Sequence, residues 1–387
     1  MQSFDRRSAT AFIVAFGIAS LFADMAYEGM RGLNGPFLAS LGASGTAVGF
    51  IAGGGELAGY GVRLFSGRIA QRTGAYWTIA VGGYALSMLA APLITFAFSW
   101  QAAAVFVVLE RTGKAIRSPA TNTMQAKAGD HIGQGWAFGL EEALDQTGAV
   151  IGPLITALIL ARHGDFHKAY AWLAVPAVLT MLTVFTIAVR YRFAGHVDAN
   201  TAQQAQGSTL PRAFWLYTTS AALLGFGFAD FSLMALHFSR AHIVAPATIP
   251  VLYAGAMGAS ALGALVFGLW FDRRGMAALI PAILLGAMTT PLAFSGKTAE
   301  AVVGVVLWGL ATGTQNALMS ASVAKLVPER QRARAYGVFS ALFGMSWFAG
   351  SALLGVLYDR SLIALVAVAI AAQLAALIPF AAAMRKT

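Results

Sequence analysis

The chain has 387 residues, of which 58% are hydrophobic and only 11% charged, and its mean hydropathy is +0.69. A soluble globule carries about 25% charged residues, so most of this surface must be solvated by lipid. The sequence holds no cysteine, and its six histidines show no metal-ligand spacing, which excludes disulfides and thiolate metal sites and leaves neither a metal nor a cofactor expected. A net charge of +10 would suggest nucleic acid in a soluble protein, but here the basic residues punctuate apolar stretches, the pattern of a bilayer protein that binds no nucleic acid.

Apolar windows of spanning length and their Gly, Pro and charged breaks predict an all-α membrane protein of twelve transmembrane helices, near 9–33, 44–66, 75–98, 101–126, 134–161, 168–190, 212–238, 247–271, 277–296, 299–325, 333–357 and 361–384. The first is long and lacks a cleavage site, so it reads as a retained helix and not a signal peptide. Arg6, Arg7, Arg68, Arg72, Lys127, Arg190, Arg192, Arg212, Arg273, Arg274, Lys325, Arg330, Arg332, Arg334, Arg385 and Lys386 fall on the side of the termini; only Arg162, Lys168, Arg240, Lys297 and Arg360 fall opposite. Both termini are therefore expected in the cytoplasm, with the protein multi-pass in an inner membrane of bacterial type. The longest polar interruption, 193–211, contains the run TAQQAQGST and reads as a flexible cytoplasmic linker between two six-helix bundles, 1–192 and 212–387.

Charges inside spans are the sharper signal, because each costs at least about 2.5 to 3.5 kcal/mol at mid-membrane unless paired or hydrated. The first span carries Asp24, Glu28 and Arg31, whose i, i+4, i+7 spacing gathers them within roughly 60° of arc on one face. In the fourth span Glu110, Lys114 and Arg117 share a face, with Arg111 rotated about 100° from Glu110. Asp24 or Glu28 is the expected proton-binding acid and Arg111 the partner that sets its acidity; a permanently ionised structural network is the alternative. Glu141 and Asp145 of the fifth span are expected to form an ion pair with Arg63 of the second, and Glu56, on the Arg63 face, is a weaker proton-site candidate. In the second half only Asp230, Gln315 and Asn316 are comparable, and they are read as shaping a pocket.

Gly139, Gly148 and Gly152, followed by Pro153, fall near one face of the fifth span. Such a strip permits close helix approach and serves as a seal, a hinge or plain packing, while the proline removes a donor and bends the helix.

The halves also repeat weakly. Phe22-Ala23-Asp24 matches Phe228-Ala229-Asp230, SGRIAQRTG (Ser66 to Gly74) matches FGLWFDRRG (Phe267 to Gly275), and Gly139 and Gly152 align with Gly337 and Gly350. A two-half repeat with pseudo-two-fold symmetry suits a transporter that rocks two bundles about a site. Here the chain resembles the major facilitator superfamily over essentially its whole length. FGLWFDRRG fits that family's cytoplasmic loop signature, with Gly268, Asp272, Arg273, Arg274 and Gly275 in place, and the first-half copy keeps Gly67, Arg72 and Gly74 but has Gln71 where the family places Asp. The Gly139/Gly148/Gly152/Pro153 pattern resembles the signature of the family's antiporters, mostly exporters, and Arg111 its membrane-embedded Arg, although RTGKAIR departs from the usual continuation.

The resemblance implies a monomeric, proton-coupled exporter of a small organic molecule. No GxxxxGK[ST] loop is present, so a proton gradient is the expected energy source. Uptake of an anionic metabolite bound by Arg111, Lys114 and Arg117 is the alternative. A membrane-embedded enzyme is disfavoured by the lack of HExxH or GxSxG, and a non-transporting sensor is the third reading.

Overall fold

In lipid a lone apolar span can satisfy its backbone only by forming a helix, and the computed structural model is helical throughout its regular elements. It describes residues 4–192, 210–328 and 331–385. In chain order the helices are α1 (Arg6–Ser40), α2 (Gly45–Thr73), α3 (Tyr76–Leu93), α4 (Trp100–Ile132), α5 (Gln134–His163), α6 (Phe166–Trp172), α7 (Ala174–Arg190), α8 (Arg212–Gly227), α9 (Phe231–Arg240), α10 (Thr248–Arg274), α11 (Leu279–Ala293), α12 (Thr298–Leu326), α13 (Arg332–Arg360) and α14 (Leu362–Met384). Several starts are written in the sequence: the side chains of Asp5, Ser99, Asp165 and Ser361 each accept a hydrogen bond from an otherwise orphaned amide of the helix that follows.

Among the described residues nine stretches are long and apolar enough to cross a membrane: α1, α3, α5, α6 with α7, α8 with α9, α10, α11, α13 and α14. Helices α2 and α4 have the length, at 29 and 33 residues, but among the described residues no window of comparable apolarity; α12 is also long enough, at 29 residues, and part of its apolar stretch lies outside the described side chains. In α4 the reason is the Glu110 to Arg117 charge cluster.

The chain divides into two compact units, residues 1–33 with 58–201 and residues 34–57 with 202–387. The segment 34–57, the end of α1 and the start of α2, thus packs with the second unit although the sequence groups it with the first half. Of the expected linker 193–211, residues 193–209 lie outside the described residues. The first unit is built around Phe12, Phe16, Tyr84, Met124 and Tyr191, with α3 and α4 in close contact where Gly83 and Gly113 leave no room for a Cβ against the facing backbone.

In the second unit the expected single span 212–238 is interrupted. Helix α8 stops at Gly227, Phe228 is extended, and α9 restarts after Asp230, whose carboxylate accepts a hydrogen bond from the Ser232 amide at 2.8 Å. Two side chains hold the unwound backbone: the Trp308 indole donates to the Ala229 carbonyl at 2.9 Å, and the Gln373 amide donates to the Gly227 carbonyl at 3.2 Å. The break is stable because these buried polar groups are paired. The matching Phe22-Ala23-Asp24 lies inside an unbroken α1, so the two copies of this tripeptide have different backbones.

Candidate functional site

The charged residues of α1 and α4 meet inside the first unit. Asp24, with a side chain only 4% exposed, faces Lys114, whose Nζ lies 3.6 Å from Asp24 Oδ1. Lys114 also sits 3.8 Å from the centre of the Tyr27 ring, and Arg111 approaches the same ring at 5.0 Å. Tyr27 is itself buried, so its ring is a low-dielectric wall against which both cations keep attractive contact. Asp145 of α5 lies within electrostatic reach of both Asp24 and Lys114.

One turn either side completes the cluster. Glu28 is buried, and Arg31 follows on the same face of α1. Glu110 is 1% exposed, and neither of its carboxyl oxygens has a hydrogen-bond partner among the described residues; Arg111, Lys114, Arg117 and Glu28 supply its nearest charges. Arg117 is buried with its guanidinium 4.2 Å from the centre of the Tyr84 ring. The base beside Asp24 is Lys114, while Arg111 stands over the Tyr27 ring. One expectation needs correction here. Neither Glu141 nor Asp145 pairs with Arg63: Glu141 accepts a hydrogen bond from Ser20 at 3.1 Å, while Arg63 lies 6.0 Å from the Tyr60 ring.

The glycine strip of α5 reads differently along its length. A Cβ at Gly148 would overlap the Leu21 carbonyl oxygen, and one at Gly152 the Met25 carbonyl oxygen, so α5 lies directly on the turns of α1 that flank Asp24. Pro153 is buried in the same helix. Gly139 meets nothing within 4 Å and takes no part in this contact. The second unit repeats the device, since a Cβ at Gly350 of α13 would overlap the Phe226 carbonyl oxygen of α8.

The remaining candidates are scattered. Glu56 is half-buried in α2. Asp230 caps α9, and Gln315 is buried in α12; the side chain of Asn316 lies outside the description. A cavity of about 400 Å³ between α8 and α13 is lined by Trp215, Thr218, Thr219, Ala222, Leu342, Met345 and Ser346, with no charged group. Among the described residues no cluster of three or more His, Cys, Asp or Glu is placed to hold a metal.

Residues 8–351 match the Major Facilitator Superfamily. The chain belongs to that superfamily. It is 39% identical over 378 residues to an uncharacterized protein of Mycobacterium tuberculosis, covering 96% of this chain and 92% of that one. It is 23% identical to an uncharacterized MFS-type transporter of Methanocaldococcus jannaschii, covering 90% and 89%. Two solved structures share the fold: the nucleoside transporter NupG, at TM-score 0.70, 16% identity and coverage of 97% and 98%, and the peptide transporter POT with sulfate, at TM-score 0.75, 14% identity and coverage of 99% and 98%. The fold and family make this chain a multi-pass membrane transporter of a small molecule.

The superfamily's loop signatures end alike. Gly74 and Gly275 both have positive φ, 65° and 62°, a conformation that costs other residues strain, and each lets the chain leave its helix. Gly67 packs on Pro119, while Gly268 faces open space. Arg72 closes the last turn of α2 and Arg273 and Arg274 that of α10, where cations complement the helix dipole. The side chain of Asp272 lies outside the description. Tyr27 and Tyr84, whose rings meet the cations, and Trp308 and Gln373, which hold the α8–α9 break, are residues that charge counting passes over. The visible signal for Tyr27 was its place between Asp24 and Glu28.

Proposed function

We propose that this superfamily transporter is an antiporter that exchanges protons for a small organic molecule and expels that molecule, with Asp24 as the proton-binding acid and Lys114 as its charge partner. The observation that supports this reading most is the buried Asp24 to Lys114 pair, joining α1 to α4 beside Tyr27 and Asp145. Such a pair has two states one unit of charge apart: an ion pair, or a neutral acid beside an uncompensated ammonium. In a water-poor setting that difference is large, so proton arrival changes the field that a bound molecule meets. Asp145 and Glu110 are the next acids in reach. The antiporter-like Gly148/Gly152/Pro153 stretch supports export, and the proposed setting is an inner membrane with both termini in the cytoplasm, the protein acting as a monomer.

A second reading, proton-coupled uptake of an anion, draws support from the Lys114 side chain, which keeps 29% of its surface exposed and is open to an anion. One experiment separates them. Purified protein is screened by thermal shift for stabilising ligands, then reconstituted in vesicles containing a pH-sensitive dye. A stabilising ligand is expected to drive protons opposite to its own movement. Movement in the same direction selects uptake. Proton movement that survives Asp24→Asn with unchanged pH dependence overturns the proposed site.

A further inference from the structure

Helix α5 rests on α1 at two glycines, Gly148 against the Leu21 carbonyl and Gly152 against the Met25 carbonyl. Asp145 precedes them by three and seven residues, so the helical period puts all three on one face and turns Asp145 toward α1. There it comes within hydrogen-bond reach of Asp24. Asp24 needs such a partner. Its Oδ1 is buried and finds no donor among the described residues, and Lys114 Nζ, at 3.6 Å, stands beyond hydrogen-bond range. Two ionised carboxylates have no proton to offer each other and repel, whereas one proton between them turns the contact into a hydrogen bond.

The surrounding charges leave room for that proton. Where α1, α4 and α5 meet, the acids that are not exposed are Asp24, Glu28, Glu110, Glu141 and Asp145. The bases are Arg31, Arg111, Lys114 and Arg117. Of the other titratable groups beside them, Tyr27 and Tyr84 are buried phenols and Glu142 is exposed. The acids exceed the bases by one, and an uncompensated charge is costly in a water-poor interior. A single retained proton makes the set neutral.

We infer that Asp24 and Asp145 form one proton site, a carboxyl pair that bridges α1 and α5 and holds a single proton between its oxygens, faced by the Lys114 ammonium. This deepens the reading of Asp24 as the proton-binding acid and rests on it. Counted with Lys114, the loaded pair is neutral, and the emptied pair carries one net negative charge once the proton has left for water. Lys114 stays an ammonium throughout.

Infrared spectroscopy reads this proton directly, with neither substrate nor gradient. The full chain is purified in detergent at neutral pH, once with natural aspartate and once with aspartate isotopically labelled at its side-chain carboxyl carbon. A protonated-carboxyl C=O band that moves with the label belongs to an aspartic acid. The parent should show such a band. Asp24→Asn and Asp145→Asn should each abolish it, because either change leaves one carboxylate, which ionises beside Lys114. If Asp145→Asn loses its thermal transition, Asp145→Ser, which still donates to Asp24, is read in its place with the same expectation. A parent without the band, or a band that survives in folded Asp145→Asn or Asp145→Ser, would overturn the shared site. Loss with Asp24→Asn alone is such a result, and it leaves the antiport reading standing. Conversely, a band lost in both variants while vesicles show no coupled proton movement upholds the pair and ends the antiport reading.

Discussion

Single residues in this protein are defined by which polar atom they answer. Asp24 and Asp230 occupy matching positions in the weak repeat, yet Asp24 faces Lys114 across two helices and Asp230 caps a helix start. Neutralising them should therefore have different consequences. Asp24→Asn is expected to abolish coupled proton movement in vesicles, whereas Asp230→Ala should leave it intact and lower stability by about 1 kcal/mol, the usual worth of a cap. Trp308→Phe keeps the ring but leaves the Ala229 carbonyl without its donor, so thermal unfolding in detergent should report a loss of about 1 to 3 kcal/mol. A Trp308→Phe protein as stable as the parent would mean that water takes over the carbonyl. Which charges of α1, and which of α4, share a face was legible from spacing, because helical period fixes it; that the two faces meet, and that Asp145 of α5 joins them, was not. Nor was the pairing: Arg111 and Lys114 differ by a fraction of a turn, and the choice between them depends on how α4 is rotated, which the Gly83 and Gly113 packing against α3 decides.

At the level of elements, glycines that look alike in sequence separate into distinct kinds. Gly152→Ala must push a methyl into the Met25 carbonyl of α1 and should destabilise by about 1 to 3 kcal/mol, the range for overpacking. Gly139→Ala enters open space in the same helix and should be neutral or raise stability by up to about 1 kcal/mol, since alanine is the better helix former. Paired thermal unfolding curves check both, and equal effects would show that the strip is uniform after all. The interruption between α8 and α9 was hidden from any reading of apolar windows, because Phe228 and Ala229 are as apolar as the helix around them. What fixes the break is a pair of distant donors, Trp308 and Gln373, that lie far along the chain.

For the molecule as a whole, composition and span length already dictated a helical membrane protein, and the superfamily followed from motifs at matched places in both halves. The allocation of 34–57 to the second unit was not legible, since it arises from long-range contacts of glycines and of Asp359, which accepts from the Gly45 amide at the start of α2. Topology is open to direct measurement. With basic residues concentrated on the side of the termini, reporter fusions after Gln206 and after Thr387 should both register a cytoplasmic location, and a signal from the opposite side at either site would refute the twelve-span arrangement.

The contact of Gly148 and Gly152 with α1 has a consequence for how this protein can evolve. Their partners are the main-chain carbonyls of Leu21 and Met25, which every amino acid possesses, so no replacement at position 21 or 25 makes room for a larger residue on α5. Most packed pairs drift together, a gain on one side offset by a loss on the other; this pair has only one side that can change. Across homologues that retain the α1 to α5 contact, positions 148 and 152 should stay glycine while 21 and 25 vary freely, with no covariation between them. A genetic search for second-site suppressors of Gly152→Val should accordingly return changes elsewhere, or reversion, and none at Met25.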